Sequence, residues 1–253
     1  MRDEPAKNSG LTPELLQELE QWTSLAGWGR IHLRSIQKYW RALGEPKPFR
    51  VIDIGCGLGG VLLEISKWAD EIGIPTILVG VETDEAVVEA AASRLGNRAR
   101  IIHRTAFPSV GGPPQAFDLG IATLLVHQLS MGDRFRLVAE LTRLAETAYI
   151  FDVTTSVEGD VGLRLAPLLG SLGAAPPQTW LQSLKKAPTM DDMVRLVGPL
   201  PVEVVRVFPA AVCTQPEPMK RVKVDSTKNA PVAVRFDAPS PAPGTVPSER
   251  RGD

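Results

Sequence analysis

The sequence predicts an α/β protein in which helices cover both faces of a mostly parallel, doubly wound sheet. Short apolar runs alternate along the 253 residues with segments of helical periodicity about a dozen residues long. Such alternation requires right-handed crossovers between parallel strands. A glycine-rich turn follows the first apolar run, and a composition that is 43% hydrophobic supplies one sizeable core.

Two amphipathic helices are predicted before the first strand. In "LTPELLQELEQW", Thr12 is suited to cap the helix and Pro13 to begin it. The second helix, "GRIHLRSIQKYWRALG", ends at Gly44, with a predicted apolar stripe of Ile31, Ile36, Trp40 and Leu43. Residues 1–48 are therefore expected to form an N-terminal helical cap.

Five strands are predicted in the middle of the chain: "PFRVIDI", "PTILVGVE", "ARIIHRTAF", "FDLGIATLLV" and "AYIFDVT". The predicted helices between them include "GVLLEISKWADEIG", "DEAVVEAAASRLG" and "GDRFRLVAELTRLAETA". Residues 158–186 have an interrupted helical pattern, and "TMDDMVRLVG" predicts a helix capped by Thr189. Two further strands, "PVEVVRVF" and "AAVCTQ", are expected to end a domain spanning residues 49–214.

Residues 215–253 are predicted to be a disordered, proline-rich tail. Seven prolines fall in these last 39 residues, and the segment is too polar to bury enough apolar surface to offset its ordering entropy. The alternative for "VAVRF" (232–236) is a strand added at the edge of the sheet.

Composition excludes several functional classes. The formal net charge is −1, so there is no basic surplus for nucleic acid, and there is no run of about 18 apolar residues for a membrane span. Two cysteines and three histidines do not form a disulfide framework or a zinc cluster, and no metal site is expected. The polar N-terminus has no apolar signal core, so we expect a cytoplasmic protein.

The stretch "RVIDIGCGLGG" fits two ligand-binding templates. Gly55, Gly57 and Gly60 match the dinucleotide fingerprint G-x-G-x-x-G, whereas Asp53, Gly55, Gly57 and Gly59 match D-x-G-x-G-x-G. Both templates bring the backbone close to a ligand, where side chains other than hydrogen would interfere.

An acid at the end of the second strand is common to both templates, and Glu82 stands there to accept hydrogen bonds from ribose hydroxyls. Asp53 separates the templates, because a pyrophosphate is repelled by a nearby carboxylate. A ligand with an ammonium group, a sulfonium and a ribose is favoured instead, which describes S-adenosylmethionine. The alternative for Asp53 is that it orients the glycine turn through neighbouring N–H groups.

From about residue 27 to residue 213 the chain resembles a class I S-adenosylmethionine-dependent methyltransferase of the small-molecule type. The resemblance rests on "VIDIGCGLGG", "VGVETDEAVVEAA", "FDLGIATLLVHQL" and "YIFDV", taken in order. It implies a Rossmann-like, seven-stranded sheet whose last strand, "AAVCTQ", runs antiparallel. It also implies S-adenosylmethionine as the cofactor.

The resemblance assigns cofactor-binding roles to individual residues. The glycine loop would line the methionine and sugar, Glu82 would bind the ribose, and Thr83 would lie against the adenine. Where the family often has an acid for the adenine amino group, this sequence has "RTA" (104–106), so a substitute contact is expected from Thr105 or a backbone carbonyl. The residues expected to contact the cofactor are Asp53, Gly55, Cys56, Gly57, Gly59, Glu82, Thr83, Thr105, Ala106, Thr123 and Leu124.

His127, just after the fourth strand, is the candidate catalytic base, because ligands bind beyond the carboxyl ends of parallel strands and imidazole titrates near neutrality. The alternative is that it packs at the strand exit. Asp152 either reaches the acceptor or caps the next segment. His32 and His103 are expected to be structural.

The expected function is methyl transfer from S-adenosylmethionine to a small-molecule acceptor, with O-methylation favoured. The [DN]-P-P-[YF] motif of base-amine methylation is absent after the fourth strand, where "IATL" stands. Two alternatives are a non-catalytic module that binds the same cofactor and an NAD-dependent oxidoreductase. No nucleic-acid or membrane partner is expected, and the sequence predicts no oligomeric state.

Overall fold

The computed structural model describes residues 12–25, 27–105, 109–152, 187–197, 202–206 and 232–237. Its helices are α1 (Pro13–Leu25), α2 (Trp28–Ala42), α3 (Gly60–Ile72), α4 (Glu85–Leu95), α5 (Met131–Leu144) and α6 (Met190–Val197). Its strands are β1 (Phe49–Ile54), β2 (Thr76–Glu82), β3 (Arg100–His103), β4 (Phe117–Thr123), β5 (Ala145–Asp152), β6 (Val202–Arg206) and β7 (Val232–Asp237). The fold is an α/β sheet flanked by helices, as the alternating pattern predicts.

The sheet has the order β3-β2-β1-β4-β5-β7-β6. Strands β1 to β5 form its continuous parallel part. The order reverses at β1, whose neighbours are β2 and β4, and ligands of open α/β sheets bind at the carboxyl ends of the strands flanking such a switch point. This position is where the glycine turn follows β1.

The antiparallel part of the sheet differs from the sequence prediction. Strand β7 runs antiparallel to β5, pairing Thr147 with Asp237, and β6 joins the sheet through β7. The antiparallel partner of β5 is therefore Val232–Asp237, whereas "AAVCTQ" lies outside the described residues. The predicted disordered tail from residue 215 is wrong over this strand, and so is the edge position considered for "VAVRF".

The prediction failed here because prolines flank the strand without interrupting it. Pro231 precedes it and Pro239 follows it, so no proline removes a hydrogen bond from the ladder. A six-residue strand between two partners gains backbone hydrogen bonds on both edges, a tertiary gain that the composition of the surrounding segment does not reveal.

Helix α5 ends earlier than its periodicity predicts. Residues 145–147 were assigned to the helix, but Ala145 begins β5 and pairs with Phe117, while Thr147 pairs with Leu119. Pairing with β4 therefore outweighs the helical propensity of this segment. At α6 the expected cap is confirmed, since the Asp192 backbone N donates to Thr189 Oγ1 at 3.1 Å.

Two apolar clusters fill the two faces of the sheet. Because consecutive strand residues point to opposite faces, Val51 belongs to the cluster that α2 and α3 cover, and Ile52 to the cluster that α5 and α6 cover. The buried face of α2 consists of Trp28, His32, Ile36, Tyr39 and Trp40, so the predicted stripe was shifted and Ile31 and Leu43 are only half-buried. None of the helices within the described ranges is long and apolar enough to cross a bilayer.

Candidate active site

A cavity of about 930 Å³ opens at the carboxyl ends of the strands. Its walls come from the glycine turn after β1, from the ends of β2 and β4, and from helices α1 and α2. A pocket for one drug-sized ligand has roughly 300–1,000 Å³. A volume at the upper end of that range leaves room for a ligand of nucleoside size and part of a second molecule.

The glycine turn has a backbone that other residues adopt poorly. Gly55, Gly57 and Gly59 have φ values of 73°, 53° and 74°, in the left-handed region. A Cβ on Gly55 would lie 2.8 Å from Leu125, and one on Gly59 would overlap Leu95. Left-handed backbone and close packing thus both require glycine, and the turn presents bare backbone to the cavity.

Glu82 ties the glycine turn to the end of β2. Its Oε2 accepts from the Gly57 backbone N at 3.1 Å, and its Oε1 accepts from the Thr83 backbone N at 2.6 Å. Both Glu82 and Thr83 line the cavity. Oε1 also accepts from Thr83 Oγ1 at 3.2 Å and from the Asp84 backbone N at 3.4 Å, whereas among the described residues Oε2 accepts only from Gly57, so the acceptor position left for a ligand hydroxyl is on Oε2.

Asp53 lies behind the cavity wall rather than on it. The side chain is fully buried, and neither carboxylate oxygen has a hydrogen-bond partner among the residues described. Burial, and secondarily the charge of Glu82, raises the pKa of Asp53 to about 8. The capping role considered for Asp53 is not seen, since no neighbouring N–H group in the described structure reaches its carboxylate.

A carboxyl group in such surroundings stays protonated at neutral pH until a cation binds nearby, because the cation offsets the cost of a buried negative charge. The attraction acts through a poorly screening interior and does not need direct contact. An unpartnered buried carboxylate behind a glycine turn is therefore poorly suited to a pyrophosphate and well suited to a positively charged ligand.

The end of the cavity beyond β3 contains Thr83, Arg104 and Thr105. The Arg104 backbone N donates to the Glu82 carbonyl at 2.9 Å, and its guanidinium donates to the Val110 carbonyl at 2.9 Å. Arg104 was not predicted as a site residue. It belongs to "RTA", the segment that differs from the family pattern, and this difference could have drawn attention to it. Ala106 lies outside the described residues.

His127 and Asp152 form a buried pair beside the cavity. His127 lies in a short 3₁₀ turn, Val126–Gln128, after β4, and Asp152 ends the neighbouring β5. The His127 Nδ1 is 2.7 Å from Asp152 Oδ1, and the His127 backbone N donates to Asp152 Oδ2 at 3.2 Å. The sequence analysis named His127 and Asp152 as separate candidates, and the structure shows that they are hydrogen-bonded to each other.

The pairing leaves one polar atom of His127 unused. With Nδ1–H donating to Asp152, Nε2 is an acceptor, and it has no partner among the described residues. His127 contributes to the cavity wall. A buried acceptor without a donor needs an explanation, and a proton-bearing ligand in the cavity supplies one.

Thr123 and Leu124, which are expected to contact the cofactor, both line the cavity. Leu124 has an unusual φ of 54°, and its backbone N donates to the Phe151 carbonyl at 2.8 Å. This hydrogen bond turns the chain at the exit of β4 and places His127 three residues later. Cys56 also lines the cavity, whereas Gly59 supports the turn from behind.

Helix α1 covers the glycine turn. Leu16 and Glu20 line the cavity, and a Cβ on Gly60 would meet Glu20 Oε1 at 2.7 Å. The Arg94 guanidinium of α4 donates to Glu20 Oε2 at 2.5 Å and to the Leu58 carbonyl at 3.5 Å. Helix α1 is thus fastened to α4 across the glycine turn.

Two of the three histidines line the cavity, including one that the sequence assigned to structure alone. His32 packs in the buried face of α2 and also borders the cavity. Its spacing of four residues from both Trp28 and Ile36 was the signal that it faces inward. His103 binds the Thr83 carbonyl through Nε2 at 3.0 Å.

Known proteins similar to this chain are methyltransferases. The plantazolicin methyltransferase BamL, solved in complex with a triazolic desmethylPZN analog and SAH, has a TM-score of 0.59 at 15% identity, covering 88% of this chain and 89% of that one. A TehB-like SAM-dependent methyltransferase from Corynebacterium glutamicum has a TM-score of 0.54 at 15% identity, covering 89% and 98%. The chain has the class I S-adenosylmethionine-dependent methyltransferase fold.

One curated relative of this methyltransferase-fold chain is similar in sequence. Ajmaline N-methyltransferase of Rauvolfia serpentina is 26% identical over 173 residues, which are 64% of this chain and 55% of that protein. The chain therefore spans little more than half the length of this relative. No protein-family model matches the chain. The resemblance that the sequence motifs indicated is confirmed.

The residues of this methyltransferase fold fit S-adenosylmethionine. The cation-favouring Asp53 carboxylate lies behind the turn, bare glycine backbone faces the cavity, and Glu82 keeps acceptor capacity for a ribose. Within the described residues, no group of three or more His, Cys, Asp or Glu side chains could hold a metal ion.

Proposed function

We propose that the chain transfers the methyl group of S-adenosylmethionine to a hydroxyl oxygen of a small molecule, with His127 as the general base. One observation carries this proposal: His127 Nδ1 lies 2.7 Å from Asp152 Oδ1, while Nε2 has no partner within the described structure. The cofactor would be held by the cavity residues after β1, β2, β3 and β4, namely Gly55, Cys56, Gly57, Glu82, Thr83, Thr105, Thr123 and Leu124, with Asp53 and Gly59 behind them.

When bound, S-adenosylmethionine supplies an electrophilic methyl group on a positively charged sulfur. A hydroxyl oxygen is a weak nucleophile until its proton leaves, so hydroxyl acceptors gain most from a base. His127 Nε2 accepts that proton, and Asp152 fixes the tautomer and stabilises the imidazolium that forms. A base positioned in this way contributes roughly 10²- to 10⁴-fold to the rate.

The cavity walls favour an apolar acceptor. Leu16, Trp28, Leu33 and Leu129 line it together with the histidine pair. Apolar and aromatic walls with a few polar groups are typical of small-molecule sites. They also exclude water, which strengthens the His127–Asp152 interaction.

N-methylation is a second candidate, favoured by the name of the curated relative, an N-methyltransferase. A protonated amine must lose a proton to free the lone pair of its nitrogen before it attacks, so His127 could serve that reaction as well. The NAD-dependent alternative is disfavoured by the unpartnered Asp53 carboxylate. A non-catalytic binding module does not account for the paired His127 with its unused nitrogen.

Calorimetry with S-adenosylhomocysteine tests the cofactor, and absence of binding to folded protein would refute the proposal. Mass spectrometry of matched phenol and amine panels, incubated with methyl-labelled cofactor, separates O- from N-methylation.

His127→Gln should keep cofactor affinity and lose turnover. Turnover unchanged in that variant would exclude His127 as the base.

A further inference from the structure

His32 belongs to the same cavity but has no part in the function proposed so far. Its ring lies 4.1 Å from the Phe151 ring and 6.1 Å from the Tyr149 ring, centroid to centroid, both edge to face. The side chain is buried among these aromatic residues and also borders the cavity. One end of the imidazole is therefore fixed by the core while the residue still contributes to the wall.

The imidazole of His32 is neutral. Burial lowers its pKa to about 3, so it carries one hydrogen on one ring nitrogen at any working pH. A neutral imidazole offers one donor and one acceptor. The nitrogen that carries this single hydrogen determines whether His32 presents a hydrogen-bond donor or an acceptor to the cavity.

Tyr149 determines which nitrogen carries this hydrogen. Its hydroxyl lies 3.4 Å from His32 Nδ1, and burial raises the pKa of Tyr149, so the hydroxyl keeps its proton. When the phenol donates that proton to Nδ1, the hydrogen of His32 resides on Nε2.

The two imidazoles of the cavity then have opposite polarity. His127 donates from Nδ1 to Asp152 and leaves Nε2 as an acceptor, whereas His32 accepts at Nδ1 and leaves Nε2–H as a donor. Their contacts, Phe151 and Asp152, are consecutive residues at the carboxyl end of β5, about 3.8 Å apart at Cα. Both histidines line the same cavity, so a ligand bound there can contact both imidazoles.

Resting on the proposed function, we propose that His32 Nε2–H donates a hydrogen bond to an oxygen that neighbours the reacting hydroxyl. The acceptor class is an aromatic alcohol with an ether, carbonyl or second hydroxyl oxygen beside the methylated position. His32 is a specificity-determining residue in this arrangement, and the base remains His127.

The tautomers can be measured directly. Two-bond ¹⁵N–¹H NMR spectra distinguish Nδ1–H from Nε2–H, and the chain has only three histidines, which His32→Phe and His103→Gln assign. We expect Nε2–H at His32 and Nδ1–H at His127 in the free protein. An Nδ1–H tautomer or an imidazolium at His32 at neutral pH would overturn the proposal.

The acceptor class is tested with 2-methoxyphenol and phenol, titrated by NMR in the presence of S-adenosylhomocysteine. Wild type should bind 2-methoxyphenol roughly 2- to 13-fold more tightly than phenol, the equivalent of one net hydrogen bond. His32→Phe, which keeps the aromatic packing, should remove the difference, and His32→Gln, which keeps a donor, should restore part of it.

Equal affinities in wild type, an unchanged preference in His32→Phe, or no binding of either phenol at its solubility limit would each contradict the proposed class. The tautomer measurement needs no cofactor, so failure of this inference is distinguishable from failure of the proposed function, which calorimetry tests separately.

Discussion

Glu82 and Gly57 are joined by a hydrogen bond of 3.1 Å between Glu82 Oε2 and the Gly57 backbone N. They are 25 residues apart in sequence: Gly57 lies in the turn after β1, and Glu82 is the last residue of the adjacent strand β2. The glycine turn is thus held by the same carboxylate that we assign to the ribose. Ligand recognition and loop conformation therefore depend on one side chain.

Glu82→Gln should weaken S-adenosylhomocysteine binding more than it weakens the fold. The amide keeps one acceptor oxygen for Gly57 or Thr83 but loses the charge that strengthens hydrogen bonds from ribose hydroxyls. Hydrogen bonds to charged groups contribute about 1.5–3 kcal/mol, so we expect roughly a 10- to 150-fold rise in Kd by calorimetry. Glu89→Gln on exposed α4 is the matched control, and equal Kd values in the two variants would exclude Glu82 from the ligand site.

Asp152→Asn should abolish the function of His127 as a base while preserving cofactor affinity. An asparagine amide can donate to Nδ1, which moves the imidazole hydrogen to Nε2 and removes the acceptor there. We expect kcat to fall about 10²- to 10⁴-fold with an unchanged Kd for S-adenosylhomocysteine. A kcat within a factor of about 2 of wild type would indicate that the pair only packs the strand exit, since the loss of a positioned base costs far more.

Much of the cofactor side could be read from the sequence because its determinants are local. The glycines at 55, 57 and 59 are required by left-handed backbone, and a strand-turn-helix with a preceding acid is contiguous in the chain. Glu82 was found by its position at the next strand end. Local patterns of this kind can be recognised without knowing which strands pair.

The acceptor side depends on long-range packing, which the sequence does not display. His127 and Asp152 are 25 residues apart, and their pairing follows from β4 lying beside β5. The sequence predicted the two helices of the N-terminal cap. Amphipathic spacing could not predict the ion pair between Glu20 and Arg94, which are 74 residues apart. For the same reason strand β7 was considered only as an edge strand, because its position between β5 and β6 depends on long-range pairing.

Gly59→Ala should destabilise the fold more than Gly73→Ala does. Both glycines have left-handed φ values, 74° and 69°, so both substitutions incur backbone strain of about 1–3 kcal/mol. A Cβ at Gly73 meets nothing within 4 Å, whereas one at Gly59 overlaps Leu95 of α4. The overlap should add about 1–3 kcal/mol to the loss in free energy of unfolding, measured by urea denaturation. Equal losses would mean that Leu95 moves aside without cost.

Breaking the Glu20–Arg94 pair should speed cofactor release. The pair fastens α1 over the glycine turn, and its side chains are 31% and 38% exposed, so solvent screens much of the attraction. A contribution of about 0.2–1 kcal/mol corresponds to roughly a 1.4- to 5-fold faster dissociation of S-adenosylhomocysteine in Arg94→Met, measured by stopped flow. Lys67→Met, which breaks the exposed Glu64–Lys67 pair on α3, is the control. Equal rates in both variants and wild type would show that α1 is held by its apolar contacts alone.

Asp53 should make the ligand-free protein less stable as pH rises. Its pKa is about 8 in the folded protein against a reference value of 3.8, so between these values the folded state keeps a proton that the unfolded state has lost. The free energy of unfolding then falls by about 1.4 kcal/mol per pH unit across that window and levels off above pH 8. Asp53→Asn buries a group of similar shape that does not titrate. Its stability relative to wild type should therefore rise with pH from about 4 to 8, as followed by urea denaturation. A stability difference independent of pH would mean that the buried carboxyl ionises as it does in the unfolded chain, and would contradict the raised pKa of Asp53.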